Sequence, residues 1–176
     1  MAENAPKLFC FGLGYCAQAL GRALLRAGWR VAGTCQGEDM LETLLDEGFE
    51  AYLSASRRPL AEARARLRNT THLLSSVPPT PVGDPVLAYH RHHIVRAAGI
   101  EWVGYLSSVG VYGDWDGKPV NEETPPAPSH ARARRRLAAE ADWRELWRRN
   151  RVPVHVFRLA GIYGHGRSPL DQVKAG

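Results

Sequence analysis

Leu8-Phe9-Cys10-Phe11-Gly12-Leu13-Gly14-Tyr15-Cys16-Ala17-Gln18-Ala19-Leu20-Gly21 passes from an apolar run through a glycine-punctuated turn into a helical pattern. The spacing Gly12-x-Gly14-x-x-Ala17 is that of a strand–turn–helix built to cradle phosphate. Gly12 permits the tight turn off the strand. Gly14, lacking a side chain, lets a pyrophosphate approach the backbone, and Ala17 is small enough for the helix to pack on the strand. The helix then offers free N–H groups and the positive end of its dipole to an anion. A dinucleotide is the first ligand this stretch implies, with Gly12, Leu13, Gly14, Tyr15 and Cys16 around its pyrophosphate.

Working outward, strand and helix signals alternate. Strands are expected at Lys7–Phe11, Arg30–Thr34, Phe49–Leu53, Thr71–Ser75, Glu101–Ser107 and Pro153–Leu159. Helices are expected at Tyr15–Ala27, Glu38–Glu47, Leu60–Arg68 (with Pro59 at its start), Val86–Ala98 and Ser129–Asn150, several stopped by a glycine. Such alternation implies βαβ units and a parallel sheet. Right-handed crossovers make this a doubly wound, Rossmann-type α/β domain with strand order 3-2-1-4-5-6. The longest irregular stretch, Tyr112–Pro128, is the kind of loop that often carries function.

The chain has 176 residues, one domain's worth, with 44% apolar and 23% charged residues, so a core is available. No apolar run approaches a membrane span, and the N-terminal residues do not resemble a signal peptide. Cys10, Cys16 and Cys35 lack metal spacing and read as reduced thiols of a cytoplasmic protein. The net charge of +5 comes largely from arginines in 62–68 and 132–151. No nucleic-acid motif accompanies them, so they read as solvated helix faces.

The end of the second strand bears on the cofactor. A carboxylate there would hold the ribose of NAD, but Gly33-Thr34-Cys35-Gln36-Gly37 has none before Glu38. Thr34 and Gln36 are expected at the adenosine ribose, and the neutral segment leans toward NADP over NAD. Arg57 and Arg58 either add positive charge there or are ordinary surface arginines. Ser75, Ser76 and Val77, before Pro78-Pro79, follow the fourth strand, where small residues let a ribose and nicotinamide lie close.

Tyr105-Leu106-Ser107-Ser108-Val109-Gly110-Val111-Tyr112-Gly113 follows the fifth strand, and Arg158-Leu159-Ala160-Gly161-Ile162-Tyr163-Gly164-His165-Gly166-Arg167 the sixth. With the glycine turn, these segments resemble an atypical branch of the extended short-chain dehydrogenases/reductases, the NAD-dependent epimerase/dehydratase family. The resemblance implies that Ser108 bonds the reacting carbonyl or hydroxyl, with Ser107 in support. It places Ala160, Gly161 and Ile162 beside the nicotinamide. It also implies an oxidoreductase or isomerase acting on a small or sugar-like substrate, and a homodimer is compatible with Trp143 and Trp147 at i, i+4 on the long helix, as is core packing.

One departure matters. The family carries Tyr-x-x-x-Lys on the long helix, four residues before a Glu; counting back from Glu140, those positions are Arg136 and Arg132. Guanidinium neither donates nor accepts a proton near neutral pH. Arg132 and Arg136 either bind an anion in the crevice or form an exposed basic face. Tyr112 and Lys118 are the nearest substitutes in sequence and read as a packing residue and a solvated loop residue. His90, His92 and His93 read as a solvated helix face rather than a metal site; His72, His130, His155 and His165 stand alone, with His155 interior or at an edge.

Two functions follow: a catalytic family member, or a dinucleotide-binding sensor or scaffold that keeps the site without the chemistry. Family members continue past the sixth strand into a substrate domain. The resemblance thus makes 1–176 the dinucleotide-binding domain, with the substrate-domain region beginning near 165 and the end at Leu170–Gly176 falling mid-protein.

Overall fold

The structure, a computed structural model, describes residues 5–54, 58–168 and 173. Arg57, one of the two arginines considered for cofactor charge, and the segment from Leu170 lie outside the described residues, Val173 excepted.

Strands β1 (Lys7–Phe11), β2 (Arg30–Cys35), β3 (Glu50–Leu53), β4 (His72–Ser75), β5 (Trp102–Ser108) and β6 (Val154–Leu159) form one parallel sheet in the order β3-β2-β1-β4-β5-β6. Helices α1 (Tyr15–Arg26), α2 (Glu38–Asp46), α3 (Ala63–Arg66), α4 (Pro85–Arg96) and α5 (Ala131–Asn150) connect them. The expected order is the observed one, and the chain crosses over in opposite directions from β1, so the carboxyl ends of β1 and β4 open a crevice between them.

Alternation along β1 sorts the two faces. Leu8 and Cys10 point into a layer with Ala17 of α1 and Leu44 of α2. Phe9 and Phe11 point the other way, toward Ala63 of α3, Val86 and Ile94 of α4, and Trp143 and Leu146 of α5. Register fixes these layers: Phe9 stands opposite both Ala32 of β2 and Leu73 of β4.

Two expectations change, and a third narrows to one of its alternatives. The helix foreseen over Leu60–Arg68 shrinks to four residues, because Glu62 sits in the left-handed region at φ 51° and Leu60 turns inward, its N–H donating to His90 Nε2 at 3.3 Å. Trp143 and Trp147 do not share an environment. Trp143 is fully buried, stacks on Tyr105 at 5.6 Å between centroids and donates to Asp84 Oδ2 at 2.9 Å. Trp147 is half exposed beneath the Arg151 guanidinium. The 40° left over from a helical turn at i, i+4 is enough to move one ring off the sheet. His155 is exposed on edge strand β6 and stacks on Trp102 at 6.0 Å.

Asp84 shows how α4 is seated. Its Oδ1 accepts from the N–H groups of Val86 and Leu87 at 2.9 and 3.0 Å, and Pro85 occupies the first turn, where no N–H is needed. Burial raises the Asp84 pKa, and the bonds to Leu87, Trp143 and Val86 oppose the rise.

Candidate functional site: a glycine-lined crevice and the end of β5

The turn after β1 is held open by its neighbours. Gly12 has φ +87°, and a Cβ there would stand 2.8 Å from Ser76 Oγ and 3.1 Å from Val77 Cγ2, so only glycine fits. Gly12 N–H donates to Thr34 Oγ1 at 2.8 Å, Leu13 N–H donates to the Thr34 carbonyl at 2.7 Å, and Ser76 Oγ–H donates to the Gly12 carbonyl at 2.6 Å. Thr34 and Ser76 therefore buttress the turn from the strands on either side. The helix that follows begins at Gly14 with no side-chain cap and no acidic residue in its first turn. Its leading N–H groups face outward with the dipole behind them, an arrangement suited to a diphosphate.

Beside this turn lies a cleft of about 390 Å³, within the usual range for ligand pockets. Gly12, Leu13, Gly14, Thr34, Gln36, Ser76 and Val77 all line it. The remaining residues expected at the cofactor do not. Tyr15, the first residue of α1, is engaged elsewhere, its hydroxyl donating to the His165 carbonyl at 3.1 Å, with Arg167 over its ring. Cys16 faces an apolar groove on the opposite side of α1. Ser75 is fully buried between β1 and β5, its hydroxyl without a hydrogen-bond partner among the described residues. Ala160, Gly161 and Ile162 are exposed beyond the end of β6.

The cleft also has walls that the sequence did not announce: Met40, Ser54, Pro59, Pro85, Tyr89 and His90. His90 corrects the reading of its helix as a solvated histidine face. It is 4% exposed, stacks on Phe11 at 5.2 Å and accepts the Leu60 N–H. Burial, with a smaller contribution from His93, lowers its pKa to about 4, so it is neutral. Its place at i, i+4 from Val86 and Ile94, both buried, was the available signal. Among the described residues no three His, Cys, Asp or Glu side chains gather as a metal site.

At the far side, β5 ends in Ser107 and Ser108 before a 3₁₀ turn at Val109–Tyr112. Ser108 Oγ accepts the Gly110 N–H at 3.2 Å. Ser107 Oγ–H donates to Glu140 Oε1 at 2.5 Å. Glu140 is fully buried and also receives Arg158 Nη2 at 2.9 Å and Arg144 Nη2 at 3.0 Å. Arg158 in turn lies 4.6 Å from the Tyr112 ring centroid, so Tyr112 packs.

The two arginines at the tyrosine and lysine positions separate. Arg132 is exposed. Arg136 reaches inward, Nη1 donating to the Leu106 carbonyl at 2.9 Å and to the Tyr105 hydroxyl at 3.1 Å. Neither a joint anion clamp nor one shared basic face describes them. Tyr105 offers no substitute for the missing tyrosine, since burial pushes its pKa up to about 12 against the opposing pull of Arg136.

Residues 56–174 match the sequence profile of the NAD dependent epimerase/dehydratase family. The chain belongs to that family. Protein YeeZ of Escherichia coli strain K12 is 29% identical over 171 residues, covering 93% of this chain and 61% of the relative. A functionally unknown conserved protein from Silicibacter pomeroyi has a similar structure, with TM-score 0.81 and 46% identity over 94% of this chain and 57% of that one. A UDP-glucuronic acid 4-epimerase from Bacillus cereus, solved with NAD, shares the fold at TM-score 0.70 and 16% identity, over 90% and 57% of the two chains. The chain thus spans about three-fifths of the length of these relatives. No helix among the described residues is long and apolar enough to cross a membrane.

Proposed function

We propose that this chain is the dinucleotide-binding part of an NAD(P)-dependent oxidoreductase or isomerase that acts on a small or sugar-like substrate. The observation that carries the reading is the uncapped tip of α1 above a glycine turn into which no side chain fits. The residues suit a dinucleotide: the tip would receive the pyrophosphate, Thr34 and Gln36 would border the adenosine ribose, and Val77 the path toward the nicotinamide. When bound, the cofactor supplies hydride chemistry. Ser108 contacts the substrate oxygen, and Ser107, fastened to Glu140, fixes the strand end beneath it. The region from about residue 165 belongs to the substrate-binding part.

NADP is the favoured form. Gln36 and Gly37 put no carboxylate at the end of β2, and Arg58 lies beyond β3, while Glu38 and Asp39 occupy the first turn of α2. The ratio of dissociation constants for NADPH and NADH measures that balance. In a thermal titration of the full chain, either nucleotide at a hundredfold excess over its dissociation constant adds about 2.7 kcal/mol of stability. Unchanged melting at millimolar NADPH and NADH would refute the site.

A second reading has its own support. Arg136 is spent on β5 and Arg132 carries a permanently charged guanidinium, which fits a dinucleotide-binding sensor or scaffold. Turnover of NADPH with a panel of carbonyl compounds and nucleotide sugars, lost in Ser108→Ala, excludes it.

A further inference from the structure

We propose that His130, paired with Ser108, holds the reacting carbonyl or hydroxyl oxygen of the substrate at the end of β5. The inference rests on the hydride-transfer reading above. It supplies a neutral N–H donor beside Ser108, where the family's tyrosine position carries the exposed Arg132.

His130 is the N-cap of α5, and its Nδ1 accepts the Ala133 N–H at 3.2 Å. A ring nitrogen that accepts carries no proton, so the neutral imidazole keeps its proton on Nε2. Nε2 points toward Gly110. An atom at the absent Cβ of Gly110 would lie 4.0 Å from His130 Nε2 and 3.4 Å from Ser108 Oγ, touching both at ordinary contact distance. Glycine therefore leaves open a space faced by an N–H donor and a hydroxyl. Ser108 Oγ already accepts the Gly110 N–H, so its own proton is free to turn outward. In a doubly wound sheet this is the strand end at which ligands sit.

The chemistry assigned to His130 is donation alone. With Nδ1 engaged, losing the Nε2 proton would leave an imidazolate, so the ring polarises the oxygen and transfers no proton; the alkoxide formed by hydride addition takes its proton from solvent water. His130 is exposed and Ser108 half-buried, so a substrate reaches both. The sequence offered His130 no neighbour; only the capping geometry brings it to Ser108.

His130→Asn keeps a side chain able to cap α5 but removes the Nε2 donor. Gly110→Ala fills the space, at a position without positive φ. Using NADPH and the panel carbonyls that turn over, each variant is expected to lose ~100-fold in kcat/KM, the scale of one oxyanion donor, with the NADPH-induced melting shift retained. A purely capping role predicts full turnover in His130→Asn, and that result overturns the inference while leaving hydride transfer standing. A second readout needs no turnover: ¹⁵N NMR of the His130 ring in the full chain with NADPH and isobutyramide, a carbonyl probe that is not reduced. A shift of the Nε2 signal, weakened in Ser108→Ala, supports the oxygen site even if no panel compound reacts. No shift together with no turnover overturns it.

Discussion

The two halves of the sheet treat their polar groups in opposite ways. Around β1, α1 and β2, side chains are arranged to leave backbone groups free: Thr34 and Ser76 brace the turn from outside, and the tip of α1 has no cap. Around β5, α5 and β6, the ionisable side chains are consumed internally: Glu140 binds Ser107, Arg144 and Arg158, while Arg136 binds β5. The open turn and the fully buried Glu140 network therefore reside in different halves, while ion pairs in the first half, Lys7 and Arg30 with Glu50 and Arg22 with Glu47, lie away from the turn. On the proposed reading, chemistry at the second half falls to groups left over from its network, Ser108 and His130.

Breaking the charged half should have the largest effect on stability. Glu140→Ala strands Arg158 and Arg144 beside a buried site and is expected to cost about 3–5 kcal/mol by denaturant unfolding. A loss under 1 kcal/mol would mean the network contributes little. Next comes His90, in the wall of the open half. Its folded pKa, about 4, lies below the ordinary 6.5. The unfolded chain therefore takes up this proton first: the stability is fully present above pH 6.5 and is lost as pH falls toward 4. The total is on the order of 3 kcal/mol. His90→Gln should flatten the stability profile across that window; an unchanged slope would place the titration elsewhere.

The arginine pair sharpens the contrast within one helix. Arg136→Ala removes charge-assisted bonds to Leu106 and Tyr105 and should cost about 2 kcal/mol, whereas Arg132→Ala should stay within about 0.5 kcal/mol. Equal effects in chemical denaturation would contradict the different placements of the two side chains. Gly12→Ala has a modest folding cost, about 1–2 kcal/mol from its backbone conformation, yet it should abolish the NADPH-induced melting shift. Retained binding in that variant would break the assignment of the open half.

What the sequence made legible follows the same division. The turn could be read because its chemistry is local: Gly12, Gly14 and Ala17 act within a few residues of one another. Strand order followed from alternation and handedness, which are equally general. The Glu140 network and the inward reach of Arg136 depend on β5 and β6 lying under α5, which spacing along one helix does not encode. Buried His90 was obscured by exposed His92 beside it, and its partners Phe11 and Leu60 come from distant segments. His130 is the extreme case, since its tautomer is set by the amide three residues on and its target by a turn some twenty residues earlier.

The Tyr15 hydroxyl and the His165 carbonyl stand 150 positions apart in the chain, and Gly164 packs on that phenol where a Cβ would overlap it. Joining such remote points is entropically costly and is secured by few contacts, so this seam should zip last and open first. Its opening unpairs no strand of the sheet. Substitutions at Tyr15 and Gly164 can thus loosen this long-range tie while the durability of the domain is set elsewhere.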